Sequence, residues 1–376
     1  MARKIVEKNI SFDDIKKKFY VNFDYGKDEN GIRIKKTKTF DKKSDAKKAL
    51  KEFEADKTKG ELVIPKEITV SEWLEQWLKN AEINRAYTTI YGYKNIIDNH
   101  IIPAFGKMEL QKLKSSQIQK YYTDKIQNEK LSSSTVLKHH NLMKTAFKSA
   151  VMQGIINKNP ADFVEAPKKS KKQINYYNID ELKMLKETIK GSQIATAVLI
   201  AIYAGLRREE ICGLTWSNID LENQVFIVSD ARTMAGSEII VKGTKTEASQ
   251  RLQYICDDLL DTLKAEKQRQ EENKSILGDL YINSDYVIVM DNGKPYRPNY
   301  ISELFTKFIE DNNLPPITLH GLRHSFASLT NAVGISQFNA SKMLGHSTPA
   351  TTGKIYTHIY DKLYKDEMKK IENALK

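Results

Sequence analysis

The chain has 376 residues, with 60 lysines and arginines against 48 aspartates and glutamates, a net charge of +12 and a pI near 9.2. This length predicts two or three domains, and the positive charge suits a polyanion, either nucleic acid or an anionic membrane. The sequence has neither an apolar signal segment nor an apolar run long enough to span a bilayer, and its two cysteines, Cys212 and Cys256, lack the spacing of a metal or disulfide site. We therefore expect a cytoplasmic protein that binds nucleic acid and not a membrane.

The N-terminal segment has the pattern of a small antiparallel sheet. Apolar residues alternate with polar ones over residues 19–25, as in a half-buried strand. Asn30 and Gly31 are a hairpin-turn signal, and a second strand is expected at residues 32–34. Phe40 is expected to close a third strand. The pattern therefore predicts three strands joined by tight turns.

A helix capped by Ser44 and running to residue 54 is expected to back this sheet. Residues 1–60 hold 18 basic and 11 acidic side chains, so +7 of the net charge lies in them. The segment is either a generic small module or a phosphate-binding arm, and its concentrated charge favours the arm. The lysines that we expect to contact DNA in this segment are Lys35, Lys36 and Lys38.

A lysine- and glycine-rich linker over residues 57–66 separates this segment from a helical block. Thr69 and Glu72 have the spacing of a capping box, which predicts that a helix begins there. Four apolar residues then fall on one face of that helix: Trp73, Leu74, Trp77 and Leu78. The tryptophans are better explained as core residues than as platforms for stacking bases.

Three further helices are predicted around residues 88–100, 115–127 and 132–152. The last of them contains three side chains that could face phosphates: Lys138, His139 and His140. A solvated helix face is the more ordinary interpretation of each. The block as a whole is predicted to be entirely helical.

A second linker follows from Asn159 and Pro160, and its basic run is either a soluble tether or a cationic strap along a DNA backbone. We favour the strap, which contains Lys168, Lys169, Lys171 and Lys172. Beyond it the pattern is mixed, with helices on both sides of short strands near residues 225–228, 238–241 and 251–255. Lys245 is expected on a hairpin turn between the last two strands.

Six residues in this last part of the chain lie in short motifs that occur in the order of one known family. They are Arg207 in AGLRREE, Lys245 in GTKTEASQR, His320 and Arg323 in LHGLRHSFA, His346 in LGHST and Tyr356 in KIYTHI. Each motif alone is weak, but their combination, with long gaps between them, is specific. On these residues the chain resembles the tyrosine recombinases, also called the phage integrase family, over residues 175–360.

The resemblance implies a multidomain fold that is mainly α with small β parts. Residues 1–60 would form a ββ(β)α arm-binding domain, residues 66–158 an all-helical core-binding domain, and residues 174–376 a mixed α+β catalytic domain. In the tail, four apolar residues recur at helical spacing: Tyr364, Met368, Ile371 and Leu375. That helix either completes its own domain or, as the resemblance favours, docks on a neighbouring protomer.

The resemblance also implies the role of each residue in breaking a DNA strand. Arg207 and Arg323 would clamp the oxygens of the scissile phosphate, and Glu210, one turn after Arg207, would orient it. Tyr356 would be the nucleophile that forms a 3′-phosphotyrosyl bond, and Lys245 would protonate the leaving 5′ oxygen. Two histidines would assist at the phosphate: His320 and His346.

Since the phosphotyrosine retains the bond energy, the resemblance implies no cofactor and no metal. His320 and His324 are four residues apart but lack a third ligand, which argues against zinc. The expected partners are double-stranded DNA, with core and arm sites, and three further copies of the chain in a tetramer on DNA. An excisionase and a host DNA-bending protein are candidate partners.

Three functions agree with these residues. The first is a site-specific integrase of a mobile element, including a viral genome, because an arm segment precedes the other two domains. The second is a chromosome-dimer-type recombinase or a type IB topoisomerase, which share much of the site. The third is a non-catalytic DNA-binding regulator, which the retention of all six residues disfavours.

Overall fold

The computed structural model of the chain describes residues 3–27, 31–59, 62, 64, 67–170, 175–243 and 251–345. The chain divides into two compact units, Met1–Lys171 and Lys172–Lys376. Two hydrophobic cores lie in the first unit, one in its sheet and one in its helices, and the largest core lies in the second unit. In the described part of the chain, no helix is both long and apolar enough to cross a membrane.

The first unit begins with a four-stranded antiparallel sheet in the order β1-β2-β3-β4. Its strands and the helix that follows them are β1 (Lys4–Glu7), β2 (Ile10–Asp13), β3 (Lys18–Lys27), β4 (Arg33–Phe40) and α1 (Lys43–Lys59). The core between sheet and helix is small, with Ile10, Val21, Phe23 and Ala46 buried. The alternation predicted for residues 19–25 is confirmed, because Val21 and Phe23 face the core while Asn22 between them is exposed.

Two parts of this prediction are wrong, the third strand and the limits of the helix. Phe40 ends β4, the same strand that begins at Arg33, and the remaining strands are β1 and β2, whose four-residue length is too short for a recognisable alternation. The helix begins at Lys43, so Ser44 lies within its first turn, and it extends to Lys59 into the predicted linker. Asn30 of the predicted turn lies outside the described residues.

The rest of the first unit is helical, as predicted. Its helices are α2 (Val70–Glu82), α3 (Tyr87–Ile96), α4 (Ile102–Phe105), α5 (Ser115–Gln127) and α6 (Ser133–Met152). A π-helical turn, Ile97–Ile101, joins α3 to α4. Pro103 has no N–H to donate and crowds the carbonyl one turn before it, which explains why the predicted helix 88–100 changes its hydrogen-bond pattern there.

The capping box that was predicted to start α2 is present. The Thr69 N–H donates to Glu72 Oε2 at 2.8 Å, and the Glu72 N–H donates to Thr69 Oγ1 at 3.2 Å. Trp73 is 1 % exposed, and its indole N–H donates to the Ala146 carbonyl on α6 at 3.1 Å. Trp77 is also buried, so both tryptophans are core residues, as predicted.

The prediction for the histidines of α6 is wrong. His139 and His140 are buried, and therefore neither faces phosphates or solvent in this structure. The Tyr121 hydroxyl lies 2.9 Å from His139 Nδ1, and the Tyr122 hydroxyl lies 2.9 Å from His140 Nδ1. The pairs join consecutive residues of α5 to consecutive residues of α6, so they fix the register between the two helices. Lys138 is exposed.

The second unit places helices around two small sheets. Its helices are α7 (Ile179–Thr188), α8 (Ala195–Ala204), α9 (Arg208–Gly213), α10 (Asp257–Leu277), α11 (Pro298–Asp311), α12 (Leu319–Ala332) and α13 (Gln337–Leu344). Almost every residue of α8 is buried, because it packs against α10 and α12 in the centre of the core. This apolar segment is therefore a buried core helix of ten residues.

The strands of this unit are β5 (Ile219–Asp220), β6 (Val225–Val228), β7 (Asp230–Ala235), β8 (Glu238–Gly243) and β9 (Arg251–Tyr254). One sheet has the order β5-β6-β9, and the other pairs β7 with β8. The expected hairpin of the last two strands is therefore wrong, since β8 pairs with β7 and β9 pairs with β6. Gly236 and Ser237 form the two-residue turn between β7 and β8, a hairpin signal that the sequence carries.

Candidate active site

The candidate site forms where α8 ends and α9 begins. Gly205 terminates α8 in a left-handed conformation, with φ of +60°. A Cβ at this position would lie 2.5 Å from the Phe326 ring of α12, so no larger residue fits without displacing that helix. This close approach brings α12 against the segment that contains Arg207 and Glu210.

Glu210 is the centre of the site. It is 4 % exposed, and its carboxylate accepts hydrogen bonds from both the backbone and the side chain of Arg207. The Arg207 N–H donates to Oε2 at 2.8 Å, and Nη1 donates to Oε1 at 2.7 Å. Arg207 is thus the N-terminal capping residue of α9, and its half-buried guanidinium lies beside the Glu210 carboxylate. Its Nη2 also donates to the Gly345 carbonyl at 3.4 Å.

Arg323 reaches the same centre from α12. It is 3 % exposed, and Nη1 lies 3.8 Å from Glu210 Oε2. The same nitrogen donates to the Gly205 carbonyl at 2.7 Å, and Nη2 donates to the Leu344 carbonyl. The two arginines singled out in the sequence therefore meet around one carboxylate, although they lie on elements far apart in the chain.

A third arginine, Arg251, lies in the centre and was missed in the sequence. Its Nη2 donates to Glu210 Oε2 at 2.9 Å and its Nη1 to Oε1 at 3.2 Å, a bidentate pair in which both side chains are buried. The inverted pattern of β9 could have revealed it, because Arg251 and Gln253 are buried while Leu252 and Tyr254 are exposed. A polar inner face on a strand with an apolar outer face indicates buried polar contacts.

The centre carries excess positive charge. Burial raises the pKa of Glu210, but the hydrogen bonds and charges of Arg251 and Arg207 outweigh it and lower that pKa to about 2. Burial and the charge of Arg207 lower the pKa of Arg323. Three guanidinium groups around one carboxylate leave a net +2, and an anion such as a phosphodiester would offset part of it.

The two histidines at the start of α12 lie beside this centre. His320 is exposed and lies one turn before Arg323, while the His324 ring meets the His320 ring edge to face at 4.8 Å. Although His320 is exposed as a residue, protein packed around it removes water from its ring, and this, then the charge of Arg323, lowers the pKa of His320. Burial, with smaller contributions from His320 and Arg323, lowers the pKa of His324 to about 4. A histidine of lowered pKa is neutral at pH 7, so His320 can accept a proton.

Three of the six predicted catalytic residues lie outside the described residues: Lys245, His346 and Tyr356. Described residues that flank two of these three positions in the chain lie near the centre. Arg251 begins the strand that follows the Lys245 segment, and Gly345, directly before His346, accepts a hydrogen bond from Arg207.

The lysines expected to bind DNA do not share one face. On β4, Lys35 lies opposite Asp24, whereas Lys36 and Lys38 lie opposite Phe23 and Val21, on the face that α1 covers. Of the lysines in the second linker, two are exposed, Lys168 and Lys169. The other two lie outside the described residues: Lys171 and Lys172.

Three family models match the chain in succession. Residues 9–57 match an arm DNA-binding domain, residues 69–126 match the SAM-like N-terminal domain of phage integrases, and residues 163–362 match the phage integrase family. The last match covers more than half of the chain. It contains all four residues of the arginine centre, which are Arg207, Glu210, Arg251 and Arg323.

Individual proteins agree with these models. The chain is 29% identical over 369 residues to a protein named tyrosine recombinase XerC-like from Caldanaerobacter subterraneus subsp. tengcongensis, covering 92% of this chain and 94% of that one.

Two solved structures have a similar fold. The Tn1549 transposon integrase bound to a circular intermediate DNA superposes with a TM-score of 0.70 at 19% identity, over 81% of this chain and 99% of that one. A lambda integrase tetramer bound to a Holliday junction gives a TM-score of 0.58 at 18% identity, over 92% and 97%. The chain therefore belongs to the phage integrase family, as a three-domain tyrosine recombinase of the integrase type that cleaves and rejoins DNA.

Proposed function

We propose that this chain integrates, and also excises, a mobile element by cutting and rejoining DNA through a 3′-phosphotyrosyl bond at Tyr356. The observation that supports this most is the convergence of Arg207 and Arg323 on the buried Glu210. Their fixed guanidinium groups and the excess charge of the centre suit a phosphodiester whose charge grows in the transition state.

The proposed reaction balances without a cofactor or a metal. The Tyr356 hydroxyl gives its proton to a base, for which neutral His320 is the candidate, and its oxygen attacks the scissile phosphorus. The bond to the 5′ oxygen breaks, and Lys245 gives that oxygen a proton. Arg207 and Arg323 hold the non-bridging oxygens, and His320 and His346 assist there. In strand exchange, a 5′-hydroxyl of the partner duplex attacks the phosphotyrosine and releases Tyr356.

The proposed domains are residues 1–60 for arm sites, residues 66–158 for one side of the core site and residues 174–376 for catalysis. The first two are supported by the two N-terminal model matches. The described lysines proposed to contact DNA are Lys35, Lys36, Lys38, Lys168 and Lys169, and those outside the described residues are Lys171 and Lys172.

The DNA-bound tetramer of the lambda integrase supports a tetramer of this chain on paired sites. In that assembly the tail after Tyr356 would dock on a neighbouring protomer. We also propose that the protein acts on DNA in the cytoplasm, with an excisionase and a host DNA-bending protein as partners that set the direction of recombination.

The first test uses a substrate with a nick close to the crossover, which loses its short 5′ fragment after cleavage and traps covalent protein. The wild-type chain should form a protein–DNA adduct and, when a partner strand with a free 5′-hydroxyl is added, should join it. Tyr356→Phe should form no adduct and bind the site with unchanged affinity, while the matched control Tyr360→Phe should still cleave. An adduct with Tyr356→Phe would overturn the assignment.

A second test addresses Lys245. Lys245→Ala should slow cleavage strongly on a normal phosphodiester and recover much of its rate when the 5′-bridging oxygen is replaced by sulfur, because that leaving group needs no proton. Lys242→Ala, at the end of β8, is the matched control. Rescue of Lys242→Ala in place of Lys245→Ala would show that the proton comes from Lys242 and that the assignment of Lys245 is wrong.

Strand joining also separates the alternatives. A topoisomerase would reseal its own strand without exchange between duplexes, and a regulator would form no adduct at all. A chromosome-dimer-type recombinase has no need of an arm domain, so loss of integration when residues 1–60 are removed would favour the integrase.

A further inference from the structure

Arg251 connects α9 to α13 at the candidate site. Besides its bidentate pair with Glu210, its Nε donates to the Met343 carbonyl at 2.9 Å, near the C-terminal end of α13. Its guanidinium also packs against Gly345, where a Cβ would lie 2.9 Å from Nη1. Gly345 has φ of +62° and ends α13, so α13 can end against Arg251 only with a glycine there.

We propose that Arg251 is a positioning residue of the recombination reaction, which acts through Glu210 on the phosphate clamp of Arg207. The proposal rests on the proposed function of Arg207. Both oxygens of Glu210 receive a hydrogen bond from Arg251, so the plane of the carboxylate is set by that pair. The remaining lone pair of Oε1 then directs Arg207 Nη1.

The chemistry of the pair supports positioning over simple packing. A third buried arginine beside Arg207 and Arg323 costs desolvation and repulsion, and an apolar side chain would fill the same space without that cost. Arg251 directs its guanidinium at Glu210 and at a backbone carbonyl, which are the contacts expected of a residue that holds other groups in place. Lysine could keep the charge but could not reproduce the two-pronged contact.

The experiment compares Arg251→Lys and Arg251→Gln with the wild-type chain in single-turnover cleavage of the nicked substrate. Each is measured on the normal phosphodiester and on a methylphosphonate, in which one charged non-bridging oxygen is replaced by a neutral methyl group. We expect about 10- to 100-fold slower cleavage of the phosphodiester, by analogy with the loss of a residue that orients a metal ligand. The deficit relative to wild type should shrink on the methylphosphonate, since less charge is left for Arg207 to offset.

Gln253→Leu is the matched control. Gln253 lies on the same face of β9 and also donates to the Met343 carbonyl, but it does not contact Glu210 in the described part of the chain. The factor by which Gln253→Leu slows cleavage should be the same on the two substrates. This substitution changes the packing of α13 and leaves the contacts of Arg207 with Glu210 in place.

The outcomes separate the two proposals. If the deficit of Arg207→Ala shrinks on the methylphosphonate but that of Arg251→Lys does not, the clamp is right and the positioning role of Arg251 is wrong. If Arg207→Ala is equally impaired on both substrates, the proposed function of Arg207 fails first. If neither Arg251 variant folds, as judged by thermal unfolding, Arg251 serves stability alone and the inference is overturned.

Discussion

At the scale of single residues, Glu210 determines whether the arginine centre can exist. One buried carboxylate pairs with three guanidinium groups, and it also accepts a hydrogen bond from the backbone N–H of Arg207. Removing this carboxylate would leave three guanidinium groups together in a poorly solvated site without a counter-charge.

Glu210→Gln should therefore destabilise the second unit by about 3–5 kcal/mol, the usual cost of breaking a buried ion pair from one side. The amide keeps one acceptor oxygen but removes the negative charge. The matched control is Glu209→Gln, whose partner Arg208 is half-buried, and which should cost less than about 1 kcal/mol. Urea unfolding of the three proteins measures both values, and equal midpoints for the two variants would contradict the central role of Glu210.

The same variant predicts a pH dependence. The folded-state pKa of Glu210 is lowered from 4.5 to about 2, so its stabilisation is present above pH 4.5 and is lost as the pH falls towards 2. The difference in unfolding free energy between wild type and Glu210→Gln should be constant from pH 7 to about pH 5 and shrink below that. A difference that grows on acidification would mean that Glu210 is not the group that titrates.

At the scale of elements, the sequence pattern predicted the helices well but did not predict which strands pair. The capping box at Thr69 and the apolar face of α2 are local, so the sequence contains them in full. Strand pairing is not local: β8 and β9 are neighbours in the chain but belong to different sheets. The alternation of β9 could indicate that Arg251 is buried, but its partners could not be predicted for the same reason, since they lie on α9 and α13.

Buried histidines are a second limit on sequence-based prediction. His139 and His140 looked like polar residues on a solvated helix, because their partners Tyr121 and Tyr122 lie on another helix. Burial, together with the nearby His100 and Lys125, lowers the pKa of His139 to about 4, so the ring is neutral at pH 7. Its Nε2 has no hydrogen-bond partner in the described part of the chain.

Tyr121→Phe should destabilise the helical block by about 1–3 kcal/mol, because it removes the remaining partner of a buried polar ring. Tyr91→Phe on α3 is the matched control: Tyr91 is exposed, and its loss should change stability by less than about 0.5 kcal/mol. Chemical unfolding followed by tryptophan fluorescence reports on this block through Trp73 and Trp77. Equal stabilities would show that the hydroxyl of Tyr121 contributes nothing to packing.

At the scale of the whole molecule, composition and motif order predicted the class of protein but not its charged surfaces. The net charge and its concentration in residues 1–60 indicated nucleic acid, and the match of residues 9–57 to an arm DNA-binding domain bears this out. The sequence could not predict which lysines lie on the face of the sheet away from α1, because that depends on how β4 pairs with β3. Lys35 and Lys36 are adjacent in the chain and lie on opposite faces of β4.

Removing residues 1–60 should spare cleavage of a minimal core site, because the sheet and its helix have their own core. Integration between full sites should be lost, as the arm no longer tethers distant DNA. The slope of log affinity against log salt concentration should also flatten, by about 0.9 for each phosphate that the arm neutralises in the full chain. Fluorescence anisotropy across a salt series measures the slope, and an unchanged slope would mean that the arm binds few phosphates.

The positions of the arginine centre in the chain also determine when it can fold during synthesis. Its four residues lie at positions 207, 210, 251 and 323. Domains fold during synthesis from the N-terminus onward. The sheet and the helical block of the first unit, each with a core of its own, can fold before Arg323 has been synthesised. A growing polypeptide would thus complete its sheet and helical block first and the arginine centre almost last, so a prematurely terminated product would have the first unit without the candidate active site.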